Sequence, residues 1–295
     1  MTSPTRSVFS PQARPVQRIV PTTRTLEGAG FVVRRPFPTI ALADVDPFLL
    51  LDHLGPFDAR PGEAKGAPDH PHRGFETVTY ILEGDLEHKD SAGNHGRLGP
   101  GDVQWMTAGA GVVHSEMPSE AVRRDGGRIH GVQLWVNLPR RAKMAKPRYQ
   151  EIPAARIPHV SKDGVTVRVL AGEAYGASAV IETHTPILYF HVSLAEGARF
   201  EERAPEGFTL MAYVLSGDVR AGANERRARE GELAIFGDQG GAVTLAADAA
   251  SEVLVIGGVP LREPVARYGP FVMNTQQEIL QAFEDFRAGR MGAIA

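Results

Sequence analysis

The chain has 295 residues, a formal net charge of −3, 42 % hydrophobic and 23 % charged residues, 32 glycines, 22 prolines and no cysteine. Without cysteine there are no disulfides, thiolate nucleophiles, zinc–thiolate sites or iron–sulfur clusters, so any metal must be held by nitrogen and oxygen. The small net charge offers no general attraction to nucleic acid or to an anionic membrane. No segment approaches the roughly 20 apolar residues of a membrane helix and the N-terminus lacks a secretory apolar core, so the expectation is a cytoplasmic protein.

The length exceeds the usual single domain of roughly 100 to 200 residues, which predicts two. Residues 1–15, "MTSPTRSVFSPQARP", are polar and proline-broken and read as a disordered tail. Arg6, Arg14, Arg18 and Arg24 precede the first acidic residue, Glu27, a faint transit-peptide pattern that is set aside for a frayed tail leading into a strand. From 16 to 139, short apolar runs alternate with turn signals such as "EGD" at 83–85, "SAGN" at 91–94 and "GPGD" at 99–102, which predicts a β-sandwich or barrel. Residues 140–158, with Arg140, Arg141, Lys143, Lys146 and Arg148 among prolines, read as a solvated linker. Residues 159–295 form the second predicted domain.

The second domain repeats the first. "TYILEGDLEH" at 79–88 lies on "AYVLSGDVRA" at 212–221, and "LGPGDVQWM" at 98–106 lies on "AREGELAIF" at 228–236, so a duplicated β-domain is expected. The chain closes on "MNTQQEILQAFEDFRAG" at 273–289, where Thr275 and Glu278 form a capping-box pattern and Ile279, Phe283 and Phe286 line one face of a predicted helix. That face is expected to pack on one of the barrels.

Side chains alternate along a strand, so His70 and His72 share a face, as do His114 and Glu116. Two such strands brought together offer three imidazoles and a carboxylate, a donor set suited to a divalent first-row metal. An isolated i, i+2 pair is more often a turn or surface feature, and Glu76 competes with Glu116 as the carboxylate, because strand parity does not separate them. His88 and His95 flank the predicted "SAGN" hairpin and read as solvated. His130 reads as a hydrogen-bonded packing residue on the barrel wall, Trp105 and Trp135 as core aromatics, and His184 and His191 as ordinary strand or loop residues.

The stretch "DHPHRGFETVTYILEG" resembles the first motif of the cupins, and "GPGDVQWMTAGAGVVHSEMP" the second. With "DPFLLLDHLGP", "HGVQLWVNLP" and "YGPFVMNT", the chain resembles the pirins, a family of bicupins, over most of residues 16–290. The resemblance implies an all-β fold of two stacked cupin (jelly-roll β-barrel) domains with a short C-terminal helix. It also implies one metal in the first barrel, held by His70, His72, His114 and Glu116, with Glu76 behind it or structurally paired. Fe(2+) is the expected ion, and Ni, Cu, Mn, Co and Zn fit the same donors. The 133-residue offset of the repeat puts Arg203 and Pro205 where His70 and His72 would lie, so the second barrel is expected to be metal-free. The implied activity is that of a quercetin 2,3-dioxygenase, acting on a flavonol or a similar aromatic or enolic substrate with dioxygen, with Glu116 as catalytic base. The alternative is a non-enzymatic, iron-dependent regulatory protein that binds a transcriptional or metabolic partner. A monomer without direct nucleic-acid or membrane contact is expected.

Overall fold

The computed structural model describes residues 12–294, so most of the expected tail, 1–11, lies outside the described residues. Two units of the same plan, all β apart from two α-helices and short helical turns, account for nearly all the strands. In the first, a seven-stranded sheet runs in the order Arg148–Ile152, Val103–Thr107, Phe75–Glu83, Gly127–Asn137, Phe48–Ala59, Phe31–Phe37, Thr23–Glu27. Opposite it lies a four-stranded sheet, Ala67–His72, Val112–Pro118, Leu86–Asp90, His95–Leu98.

The second unit matches the first strand for strand. Its larger sheet runs Val16–Pro21, Glu232–Phe236, Thr209–Ser216, Ser251–Gly258, Ile187–Leu194, Val165–Ala171, His159–Lys162. Its smaller one runs Arg199–Arg203, Ala242–Ala247, Asp218–Ala221, Arg226–Arg229. The repeated hairpins turn on Gly84 and Gly217, both at positive φ, where a Cβ would lie 2.4 Å from the Arg128 carbonyl in one and 2.6 Å from the Ala250 carbonyl in the other. Only glycine meets both demands.

The large sheets stack on each other. Their central strands are covered on both faces, which is why these read as long apolar runs rather than as alternating ones. Along Phe75–Glu83, Val78 and Tyr80 enter the core between the domains, while Thr79, Ile81 and Glu83 face the first barrel's cavity. The interdomain core joins Tyr80, Val132 and Leu134 to Tyr189, Tyr213 and Leu254. Two reciprocal hydrogen bonds cross it: the Tyr80 hydroxyl lies 2.8 Å from His191 Nδ1, and the Tyr213 hydroxyl 3.0 Å from His53 Nδ1. His191 is therefore an interdomain contact rather than an ordinary strand residue.

Two segments pair away from their sequence neighbours. Val16–Pro21, at the start of the first predicted domain, is an edge strand of the second sheet, and Arg148–Ile152, within the predicted linker, is an edge strand of the first. Residues 12–15, expected to belong to the tail, are held by Arg14, which is 1 % exposed and donates to the carbonyls of Pro205 and Phe208 at 2.7 Å each. Lys143 corrects the reading of a solvated basic linker. It is 2 % exposed, with Nζ donating to the Gly74 and Val272 carbonyls and Asn137 Oδ1, and burial pulls its pKa down to about 8.

The C-terminal helix spans Gln276–Arg287 behind the expected capping box of Thr275 and Glu278. It packs back on the first barrel through a cluster containing Val113, Phe271, Ile279 and Ala282, and Arg73 Nη1 meets Asp285 at 2.7 Å. Ala282, not Phe286, completes the buried face; Phe286 is 39 % exposed. Among the described residues no helix is long and apolar enough to cross a membrane.

Candidate metal centre

The strand Ala67–His72 pairs antiparallel with Val112–Pro118 in a register that sets His70 opposite His114. One ring nitrogen from each of His70, His72 and His114 falls within 4.8 Å of the others. His70 Nδ1 lies 2.7 Å from the Pro68 carbonyl, and His72 Nδ1 lies 3.2 Å from the Pro270 carbonyl. A carbonyl only accepts, so each Nδ1 carries the proton, and in the neutral rings each Nε2 presents a lone pair. Those two Nε2 atoms are 3.1 Å apart. His114 is fully buried, and among the described residues neither of its nitrogens has a hydrogen-bond partner.

Burial, followed by the charge of the neighbouring imidazoles, pulls His72 and His114 well below the usual histidine range. Both are thus neutral, the state that ligates. Converging lone pairs and an orphaned buried imidazole are costly without a cation to receive them, since an unpaired buried polar group forfeits about 1–3 kcal/mol. The donors present therefore fit a divalent transition metal.

Glu116 follows His114 on the same strand, with a break in register between them. Its nearest partners are protein donors: Thr79 Oγ1 donates to Oε1 at 2.7 Å and Gln133 Nε2 to Oε2 at 2.8 Å, while Trp135 Nε1 donates to Gln133 Oε1 at 3.2 Å. That chain fixes the carboxylate at the cavity edge. The group of mutually close ligand atoms consists of the three histidines. Glu76 shares the strand parity of Val78 and Tyr80 and leaves the site altogether. It accepts from Thr107 Oγ1 at 2.6 Å, and burial, opposed by that bond, pushes its pKa up to about 7.

His70 and His72 open onto a cavity of about 530 Å³ between the two sheets of the first barrel, with His114 buried behind them. Glu116 and Gln133 border it, with Leu50, Leu54, Ile81 and Val132 as its apolar wall and Arg35, Asp52 and Arg267 at its charged side. Burial raises Asp52 to about 6 against the opposing pull of Arg35. An apolar cleft of this size with a few convergent polar groups is the usual form of a small-molecule site.

A family profile described as Pirin matches residues 30–136, and one described as Pirin C-terminal cupin domain matches 189–292. Human Pirin is 45 % identical over 270 residues, covering 90 % of each chain. The chain belongs to the pirin family. Among solved structures, a quercetin 2,3-dioxygenase from Acinetobacter baumannii superposes with a TM-score of 0.90 at 39 % identity, covering 96 % of this chain and all of the other. The bacterial pirin YhhW from Escherichia coli, solved in complex with nickel(II), shares the fold at 23 % identity with a TM-score of 0.63, covering 82 % of this chain and 98 % of its own.

One bland reading fails inside this pirin's first barrel. His88, expected to be solvated, is fully buried, with its ring centroid 5.3 Å from that of His114; Gln104 Nε2 lies 2.8 Å from its Nδ1, and Asp90 Oδ2 lies 3.6 Å from its Nε2. The signal was the alternation of Leu86, His88 and Asp90 against Glu87 and Lys89, since the "SAGN" turn begins only after Asp90. Trp105 and Trp135 are both core aromatics as expected, and Trp135, packed with Leu49, Leu50, Phe75 and Val272, also borders the cavity with its ring 5.1 Å from that of His72. His130 is hydrogen-bonded, as its reading required, with Nε2 2.8 Å from His53 Nε2 and Nδ1 3.2 Å from Glu83, and it also faces the cavity.

In the pirin C-terminal cupin domain the positions matching His88, His114 and Glu116 are apolar. Glu116 pairs with His88 in the first barrel as Leu245 pairs with Ala221 in the second. Val243, two residues before Leu245, stands where His114 would be, and all three replacements are buried in that barrel's core. Arg203, matched to His70 by the sequence offset, is exposed.

Proposed function

We propose that this pirin is a metal-dependent dioxygenase of the quercetin 2,3-dioxygenase type, opening the central ring of a flavonol or a similar enolisable phenol. His70, His72, His114 and Glu116 are its metal ligands, Fe(2+) is the expected ion, and Glu116 is also its base. The single observation that carries the reading is the meeting of two Nε2 lone pairs, 3.1 Å apart, beside the unpartnered His114. Likeness to the Acinetobacter quercetin 2,3-dioxygenase supports the choice of chemistry.

When bound, a divalent ion supplies Lewis acidity toward the substrate oxygen. The protein's part is positioning and proton transfer. The apolar wall and Trp135 hold a planar ring and exclude water, and Glu116, aimed by Thr79 and Gln133, takes the proton of the flavonol hydroxyl. The enolate so formed reacts with dioxygen, and ring opening releases carbon monoxide.

Elemental analysis and aerobic incubation with quercetin on one purified sample test the reading. Near-stoichiometric metal is expected, with loss of flavonol absorbance matched by carbon monoxide. Glu116→Gln should retain metal and lose roughly 10²- to 10⁴-fold in turnover, the usual yield of a positioned base. Full activity of that variant with metal bound would remove the base assignment. Bound metal without flavonol loss, across iron, nickel, copper, manganese, cobalt and zinc, would move the protein to the regulatory class.

A further inference from the structure

The cavity's last wall comes from the returning C-terminal segment, which brings in a cation that no described carboxylate meets at contact distance. Arg267, in the strand Ala266–Tyr268, is partly buried and lines the cavity. Its Nη1 donates to the Leu49 carbonyl at 3.0 Å, and its guanidinium carbon sits 4.9 Å from the centroid of the Trp135 ring. Among the described residues, no carboxylate lies within ion-pair distance of it.

The neighbouring cation is treated differently. Arg35 is gripped by Asp52 through both oxygens, with Nε–Oδ1 at 2.7 Å, and is paired with Glu27 as well. Those two carboxylates are thereby committed, and burial together with the charge of Arg35 lowers the pKa of Arg267 against the longer-range pull of Glu27, Asp52 and Asp44. A partly desolvated cation beside a second cation is an unfavourable arrangement, and an incoming anion relieves it. The planar guanidinium fork matches a carboxylate in two parallel hydrogen bonds.

Trp135 fixes the orientation. Its indole neighbours both ends of the site, with its ring 5.1 Å from the His72 ring and 4.9 Å from the Arg267 guanidinium. A molecule lying along that indole reaches the histidines with one end and the guanidinium with the other.

We propose that Arg267 reads a substrate carboxylate, so that the preferred ligand is an aromatic or enolic acid with its hydroxyl at the histidine end and its carboxylate on Arg267. This rests on the dioxygenase reading for the role of the hydroxyl, but its test is binding, so the two can fail separately. Arg267 acts on affinity and orientation; Glu116 keeps the proton transfer.

The probe pair is 4-hydroxybenzoate and the neutral 4-hydroxybenzamide. Each is titrated under nitrogen into the protein as purified, by calorimetry and by quenching of Trp135 fluorescence, with Trp135→Phe as the optical control. The acid is expected to bind at least about ten-fold tighter than the amide. Arg267→Met should bring the two within about two-fold, chiefly by weakening the acid, and Arg267→Lys should keep part of the preference. No preference in the native protein, or a preference that survives in a folded Arg267→Met, overturns the proposal; the latter would place the carboxylate elsewhere, as on the metal. Acid-selective binding without quercetin turnover would sink the dioxygenase reading and leave Arg267 standing.

Discussion

The two barrels share a strand order and even a cross-strand triplet, yet their interiors differ. His53, Val132 and Tyr80 lie side by side on neighbouring strands of the first large sheet, and His191, Leu254 and Tyr213 do so in the second. Each tyrosine reaches the other domain's histidine, so the outward faces form a near-symmetric interface. Inward, the second barrel is filled by Val243, Leu245, Ala221, Phe200 and their neighbours, whereas the first keeps histidines, a carboxylate and open space. The shared face shows what the duplicated fold requires, and the divergent one shows where function was free to settle.

If that division is real, substitutions at matched inner positions should have opposite signatures. His114→Ala is expected to give the largest effect, a loss of roughly 10³-fold or more in flavonol turnover and at least about ten-fold in retained metal, with the circular dichroism spectrum preserved. Its counterpart, Leu245→Ala, should leave metal content unchanged and cost about 2–5 kcal/mol in urea unfolding, because it empties a packed core. Metal loss in the second variant would mean that the barrels are not separable in this way.

Glu76 sharpens the contrast between the two faces of one strand. Burial holds its carboxyl at about 7, above the ordinary 4.5, so its contribution to folding is complete below about pH 4.5 and is lost as pH rises through about 7. Glu76→Gln stays neutral, so its stability relative to the native chain should rise by roughly 2–3 kcal/mol between pH 4.5 and 8, read from urea midpoints. A relative stability that falls with pH would show the carboxylate to be held ionised. The smallest effect concerns the interface: Tyr80→Phe and Tyr213→Phe should each cost about 1–2 kcal/mol, and by similar amounts. A large inequality would show that the geometric symmetry is not an energetic one.

Much of this was readable from residue order. Strand parity placed His70 with His72 and His114 with Glu116, and the repeat predicted both barrels, the glycine turns and the missing histidines of the second. Parity was equally able to find His88, had the alternation of Leu86 and Asp90 outweighed its nearness to a turn. It could not choose between Glu76 and Glu116, because which face of a strand turns inward is set by the opposing sheet. Nor could it place Lys143, Arg267 or the Pro270 carbonyl, the last bonded to His72 across 198 positions of chain. Periodicity carries direction within an element and says nothing about which distant segment closes over it.

Both ends of the described chain cross over to the other half. Val16–Pro21 completes the sheet of the second barrel, while residues 266–294 return to seal the first and deliver Arg267 and the Pro270 carbonyl to its cavity. A cut between the barrels would therefore not release two intact modules: one fragment would lack an edge strand, and the other a wall of its pocket. The protein is in this sense latched at both ends, and only the uncut polypeptide can assemble the whole site.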